Sequence, residues 1–131
     1  MKWWNNAVIY QVYLRSFNYN INGITEKIPY LKNILNINAI WINPFYPDGG
    51  KDAGYDVTDY YNINPLLGTL NNFSTMAKKM KESGIKVIID LPLNHTSISH
   101  PWFIDSIKSK NNKQDWYIWK KKNELPLNWK S

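Results

Sequence analysis

Two short segments concentrate side chains suited to binding a polar ligand. Asp90-Leu91-Pro92-Leu93-Asn94-His95 brings a carboxylate, an amide and an imidazole close together. Asn94 and His95 suit sugar hydroxyls as hydrogen-bond partners, and Asp90 can accept a hydroxyl or orient a neighbouring cation. The ordinary alternative is that Asp90 closes a strand and His95 satisfies loop carbonyls, and local sequence does not separate the two. The second segment is Gly54-Tyr55-Asp56-Val57-Thr58-Asp59-Tyr60-Tyr61. An aromatic followed at once by a carboxylate fits a pyranose, with its C–H face on the ring and a hydroxyl on the carboxylate. The same residues also suit a turn held by Asp side chains over packed tyrosines.

Three apolar runs must position these groups. Val8 to Leu14 is β-branched and aromatic, Ala39 to Asn43 ends at Pro44, and Ile85 to Leu91 ends at Pro92. Near-continuous apolar runs of this length suit parallel strands covered on both faces. Between them Ile24, Ile28, Leu31 and Leu35 make one helical stripe, with Pro29 expected near the first turn. A second helix is expected from about Asn71 to Ser83, with Phe73, Met76, Ala77 and Met80 on one face. Asn71 or Asn72 would cap it, and Gly84 would take the left-handed position past its end. The order β-α-β-α-β means crossover connections and a parallel sheet. Both chemistry-bearing segments follow carboxyl ends of strands, where parallel α/β folds keep their sites.

Composition bounds the remaining possibilities. The 131 residues carry a formal charge of +6 and no cysteine, which excludes disulfides, thiolate metal sites and a cysteine nucleophile. No apolar stretch resembles a signal peptide or a membrane span, so a soluble cytoplasmic protein without membrane contact is expected. From Ile98 onward seven lysines (Lys108, Lys110, Lys113, Lys120, Lys121, Lys122 and Lys130) face only Asp105, Asp115 and Glu124. With Trp116, Trp119 and Trp129 interleaved, this pattern allows a single-stranded nucleic-acid surface. A solvated lysine-rich face is the simpler reading, because Arg15 is the one arginine available for bidentate recognition.

Taken together, these segments resemble the α-amylase family of retaining glycoside hydrolases and transglycosylases. One family signature is similar to Asp90 to His95 with Thr96-Ser97 and His100-Pro101-Trp102-Phe103. Another is similar to Gly54 to Tyr60 followed by Ile63, Pro65 and Gly68. Ala7 to Tyr13 with Arg15-Ser16-Phe17, Ala39-Ile40-Trp41 with Pro44-Phe45-Tyr46, and Asp115 to Trp119 add further matches in order. The resemblance implies a (β/α)₈ barrel, of which residues 1–91 would give three strands and two helices. Residues 92–131 would then begin a domain inserted after the third strand. It also implies that Tyr55 stacks on the glucose before the cleaved bond, that Asp56 holds that sugar's terminal hydroxyls and that His95 bonds it near the 6-hydroxyl. Asp90 would support the site by pairing with an arginine on a later strand, and Asn94 in some relatives helps hold calcium. The His-Pro-Trp-Phe and Asp-Trp-Tyr-Ile-Trp runs point to α-glucosidases, oligo-1,6-glucosidases, trehalose synthases and sucrose isomerases, whose ligands are short α-gluco-oligosaccharides.

Two departures qualify this. The connection from Phe17 to Gly23 has no carboxylate, where many relatives carry an acidic calcium loop, so calcium is not expected there, and no metal site or cofactor is assigned elsewhere. Retaining glycosidases need two carboxylic residues roughly 5–5.5 Å apart. In this family those lie on the fourth and fifth strands, so no catalytic residue is assigned, and the missing strands would come from the rest of a longer chain. The expectation is therefore the amino-terminal part of an α-glucosidase-like enzyme, inactive alone. The alternatives are a non-catalytic α-glucoside-binding module or a basic nucleic-acid-binding domain.

Overall fold

The computed structural model describes residues 1–120. Three strands, β1 (Ile9–Val12), β2 (Ala39–Ile42) and β3 (Lys86–Ile89), form a parallel sheet in the order β1-β2-β3. Helices α1 (Ile21–Asn33) and α2 (Leu70–Glu82) make the two crossovers, and a short α3 (Pro101–Ile107) follows β3. This is the expected β-α-β-α-β order, with each strand shorter than its apolar run. Single backbone bonds extend the pairing past the strand ends, from Asn38 N to Val8 O, Asn43 N to Val12 O and Asp90 N to Ile42 O.

The core lies between the sheet and the two helices. Val12, Ile40 and Ile42 pack against Ile24, Ile28 and Leu31 of α1 and Met76 and Met80 of α2, all buried. Each such side chain contributes roughly 1.5–3 kcal/mol relative to exposure. The opposite sheet face carries Gln11, Trp41 and Ile88 in one register row, with Ile9, Ala39 and Lys86 in another. Ile9 and Trp41 remain 45% and 36% exposed there.

Two local details differ from expectation, the place of Pro29 and the cap of α2. Pro29 lies inside α1, not in its first turn, and stands on the exposed face. Water can there take the Thr25 carbonyl that a residue-29 N–H would have bonded. α1 starts at Ile21 because the Asn20 side chain caps it, accepting from Gly23 N at 3.1 Å. α2 is capped by Thr69, and Asn72 is the third helical residue, completing a reciprocal capping box. Gly84, by contrast, has φ +74° past α2, the left-handed position its residue type suggests.

Candidate active site

The loop from β2 to α2 folds back on itself before it reaches the helix. Gly49 N donates to Asp56 O at 3.0 Å and Thr58 N to Pro47 O at 2.8 Å, flanking an antiparallel bridge between Asp48 and Val57. An ion pair anchors this hairpin: Arg15 Nη2 meets Asp48 Oδ2 at 2.7 Å, and Asn64 Nδ2 donates to the same oxygen at 3.0 Å. Asp48 Oδ1 accepts from Gly50 N at 2.9 Å. Burial pushes the Asp48 carboxyl up, but the bonds from Arg15, Gly50 and Asn64 outweigh it and hold it below the usual aspartate range. Gly54 is required at the hairpin tip. Its φ is +101°, and a Cβ there would sit 2.9 Å from the Pro44 carbonyl oxygen.

Tyr55 follows and is held at both ends. Its N–H donates to Asp52 O at 2.8 Å, and its carbonyl lies 3.0 Å from His95 Nε2. At the ring end, the hydroxyl donates to Asp90 Oδ2 at 2.9 Å and accepts from Asn43 Nδ2 at 2.8 Å. Burial, then the bond to Asp90, raises the phenol's proton affinity, and the bond from Asn43 works against them. Tyr60 ties the hairpin to the segment after β3: its hydroxyl is shared between Pro92 O at 2.6 Å and His95 O at 2.8 Å. Ser97 N adds a bond to Val57 O at 2.8 Å.

Tyr55, Asp90 and His95 thus come together at the carboxyl ends of β2 and β3. Asp56 sits differently. It is 8% exposed, and its two carboxylate oxygens accept from Lys51 N at 3.2 Å and Asp52 N at 3.1 Å. Its carboxylate organises the hairpin and offers little surface to a ligand. Asp52, which sequence reading passed over, is exposed, and its charge is felt by the Tyr55 hydroxyl. Its position one hairpin turn before Tyr55 was the available signal. Asn94 is exposed and lines a cleft of about 520 Å³ together with Leu91, Leu93, His95, Trp102 and Trp116.

The turn after β1 is held by its own side chains. Asn20 Oδ1 is spent on Gly23 N, Asn18 Nδ2 donates to Glu26 Oε2 at 3.3 Å, and the Asn18 carbonyl lies too close to Gly23 to admit a Cβ there. Hard cations need several convergent oxygens, some of them charged. Among the described residues no group of three or more His, Cys, Asp or Glu side chains is arranged to hold a metal.

Trp116 and Trp119 each contact neighbours while staying about half exposed. Lys113 Nζ lies 3.7 Å from the Trp116 ring centroid, and Trp119 stacks on Phe103 at 5.6 Å. Lys121, Lys122, Glu124, Trp129 and Lys130 lie outside the described residues. No helix among the described residues is long and apolar enough to cross a membrane.

Comparison with known proteins accords with this arrangement. The chain is 44% identical to an oligo-1,6-glucosidase of Parageobacillus thermoglucosidasius over 98% of its own length and 25% of that protein's. It is 41% identical to a trehalose-6-phosphate hydrolase of Bacillus subtilis over the same shares. An isomaltulose synthase structure from Protaminobacter rubrum superposes with a TM-score of 0.86 at 44% identity, covering 92% of this chain and 23% of that one. The chain therefore spans about a quarter of the length of the relatives it matches. Residues 11–131 match the alpha-amylase catalytic domain. With a parallel sheet of consecutive β/α units and a hairpin that delivers Tyr55 to Asp90, the chain belongs to the α-amylase family and forms the amino-terminal part of its (β/α)₈ barrel.

Proposed function

We propose that this chain supplies part of the glucose-binding wall of an α-glucosidase-like active site that hydrolyses or transfers short α-glucosides. The observation that carries this is the Tyr55 hydroxyl bonded to Asp90, with the Tyr55 carbonyl beside His95, at the carboxyl ends of adjacent parallel strands. The ring offers an apolar face to a pyranose, and His95 and Asp90 offer polar edges around it. Since Asp56 is committed to loop amides, Asp52 is the carboxylate better exposed to meet a sugar hydroxyl. Residues 92–131 are read as the beginning of the inserted domain, and the remaining strands of the site would belong to other parts of a longer protein. Oligonucleotide binding is disfavoured, because the single arginine, Arg15, is paired with Asp48 and so is engaged elsewhere than in bidentate phosphate or base recognition.

The test is calorimetric titration of the chain with isomaltose. Millimolar binding is expected, weakened at least about fivefold by Tyr55→Ala, in line with about 1 kcal/mol for a lost aromatic platform. Undiminished binding by the variant would remove Tyr55 from the site.

A further inference from the structure

We propose that Asn43 is a positioning residue that fixes the Tyr55 hydroxyl toward Asp90, as the central member of a one-way hydrogen-bond row, Gln11–Asn43–Tyr55–Asp90, spanning the ends of all three strands. The distances are 3.1 Å from Gln11 Nε2 to Asn43 Oδ1, 2.8 Å from Asn43 Nδ2 to Tyr55 Oη, and 2.9 Å from Tyr55 Oη to Asp90 Oδ2. The direction follows from Asp90. An ionised carboxylate only accepts, so the single hydroxyl proton of Tyr55 must point to it. The phenol oxygen is then an acceptor toward Asn43, which must present its NH₂ and turn its carbonyl away. That carbonyl takes the Gln11 amide. Every member has one permitted orientation, and the row ends on a charge, where hydrogen bonds are strongest.

The consequence for binding rests on the sugar-wall reading above. A tyrosine ring tethered only by its backbone keeps freedom about χ1 and χ2, and a ligand that stacks on it must freeze that freedom. Here the fold has already fixed the ring, with two bonds at the hydroxyl and the backbone bonds to Asp52 and His95 at the other end. Asn43 touches no sugar in this scheme and acts through Tyr55.

The experiment is an NMR titration of the full chain carrying ¹³Cζ-labelled tyrosine, with the Tyr55 signal assigned by Tyr55→Phe. The Asn43 donor stabilises the phenolate and the Asp90 carboxylate opposes it, so the two replacements move the midpoint in opposite directions. Asn43→Ala is expected to raise the Tyr55 midpoint by about half a pH unit or more, and Asp90→Asn to lower it by a similar amount. If Asn43→Ala does not fold, Gln11→Glu decides, because Gln11 is exposed and outside the core. A carboxylate at position 11 draws the Asn43 NH₂ toward itself, turns the carbonyl to Tyr55 and again raises the midpoint. A midpoint unchanged or lowered in the deciding Asn43 or Gln11 variant overturns the row. Isomaltose titration of the same samples separates the two ideas: absence of binding by the parent chain would sink the sugar reading, while the midpoints still judge the row. Where the parent binds, Asn43→Ala is expected to weaken it about threefold to tenfold; parent-like affinity in a folded variant would refute the positioning role.

Discussion

At the residue scale, the hairpin that carries Tyr55 depends on two groups with no role in binding. The first is Gly54. Any side chain there needs a left-handed conformation that L residues seldom adopt, and its Cβ would press on the Pro44 carbonyl. Gly54→Ala is expected to cost about 1–3 kcal/mol, read as a lower urea midpoint, and to weaken isomaltose binding through displacement of Tyr55. The second is the Arg15–Asp48 pair. Folding holds the Asp48 carboxyl below its ordinary value, so the unfolded chain binds its proton more readily. Its contribution is therefore complete above pH about 4, the unfolded aspartate value, and disappears as pH falls through the lower folded value. Urea midpoints at pH 6 and pH 3 should show this acid loss, and Asp48→Asn should reduce it while costing about 1–2 kcal/mol at pH 6. An acid loss as large in Asp48→Asn as in the parent would assign it elsewhere. Tyr55 and Asp90 could be singled out because each lies in a short segment that concentrates polar and aromatic side chains. Asn43 and Gln11 were not, since nothing in an apolar strand marks which amide will face a phenol supplied many residues later. For Asp56, the Tyr-Asp dipeptide suggests a sugar contact, while the folded chain shows its carboxylate accepting from backbone amides of its own hairpin, which the dipeptide does not reveal.

At the element scale, helical stripes located both long helices and near-continuous apolar runs located the three strands, because burial against a common core imposes each pattern. The ends were less legible. Caps are set by one side-chain bond, and several Asn and Thr residues near Leu70 compete for it; Thr69 prevails because Asn72 reciprocates. Pro29 was misplaced because helix position alone cannot show that its missing N–H falls on the solvent side. Helix α3 was outside the stripe analysis altogether. It begins with a device that carries a pH dependence: His100 Nδ1 accepts from Trp102 N at 3.0 Å, and His100 itself is 3% exposed. Burial pushes its proton affinity down, Asp59 partly restores it, and Lys113 pushes it down again. A protonated ring also loses the acceptor that caps the helix. The folded value thus lies below the unfolded one of about 6.5, the unfolded chain takes up the proton first, and stability falls as pH drops below that value. The thermal midpoint should decline from pH 7.5 to 5.5. His100→Asn retains a capping acceptor without the titration and should flatten that decline. An equal decline in the variant would exonerate His100.

At the scale of the whole molecule, the sheet is a piece of a closed architecture. The outer edges of β1 and β3 have no strand partner among the described residues, and the face away from the helices leaves Ile9 and Trp41 partly in water. At the end of β3 and past it, Ile89, Leu91 and Leu93 are 42%, 46% and 76% exposed. In a barrel the next strand and the opposing wall would cover these groups; unpaired parallel edges beside exposed apolar side chains instead recruit other copies. The chain alone is accordingly expected to be of low stability and to self-associate as its concentration is raised, with sedimentation velocity as the check. The same incompleteness governs chemistry. Retaining hydrolysis needs one carboxylate nucleophile and a second carboxyl group kept protonated long enough to act as acid. Asp48 is paired with Arg15, Asp56 is tied to amides, and Asp90 is bonded to Tyr55. Asp59 is held down by bonds from Asn62 and the Tyr61 N–H, the wrong direction for an acid. The 131-residue chain should therefore release chromophore from a nitrophenyl α-glucoside no faster than buffer, while still binding isomaltose. Turnover that co-purifies with the chain and disappears in Asp90→Asn would mean that a carboxylate read here as support performs the chemistry, and the division between binding wall and missing catalytic strands would have to be abandoned.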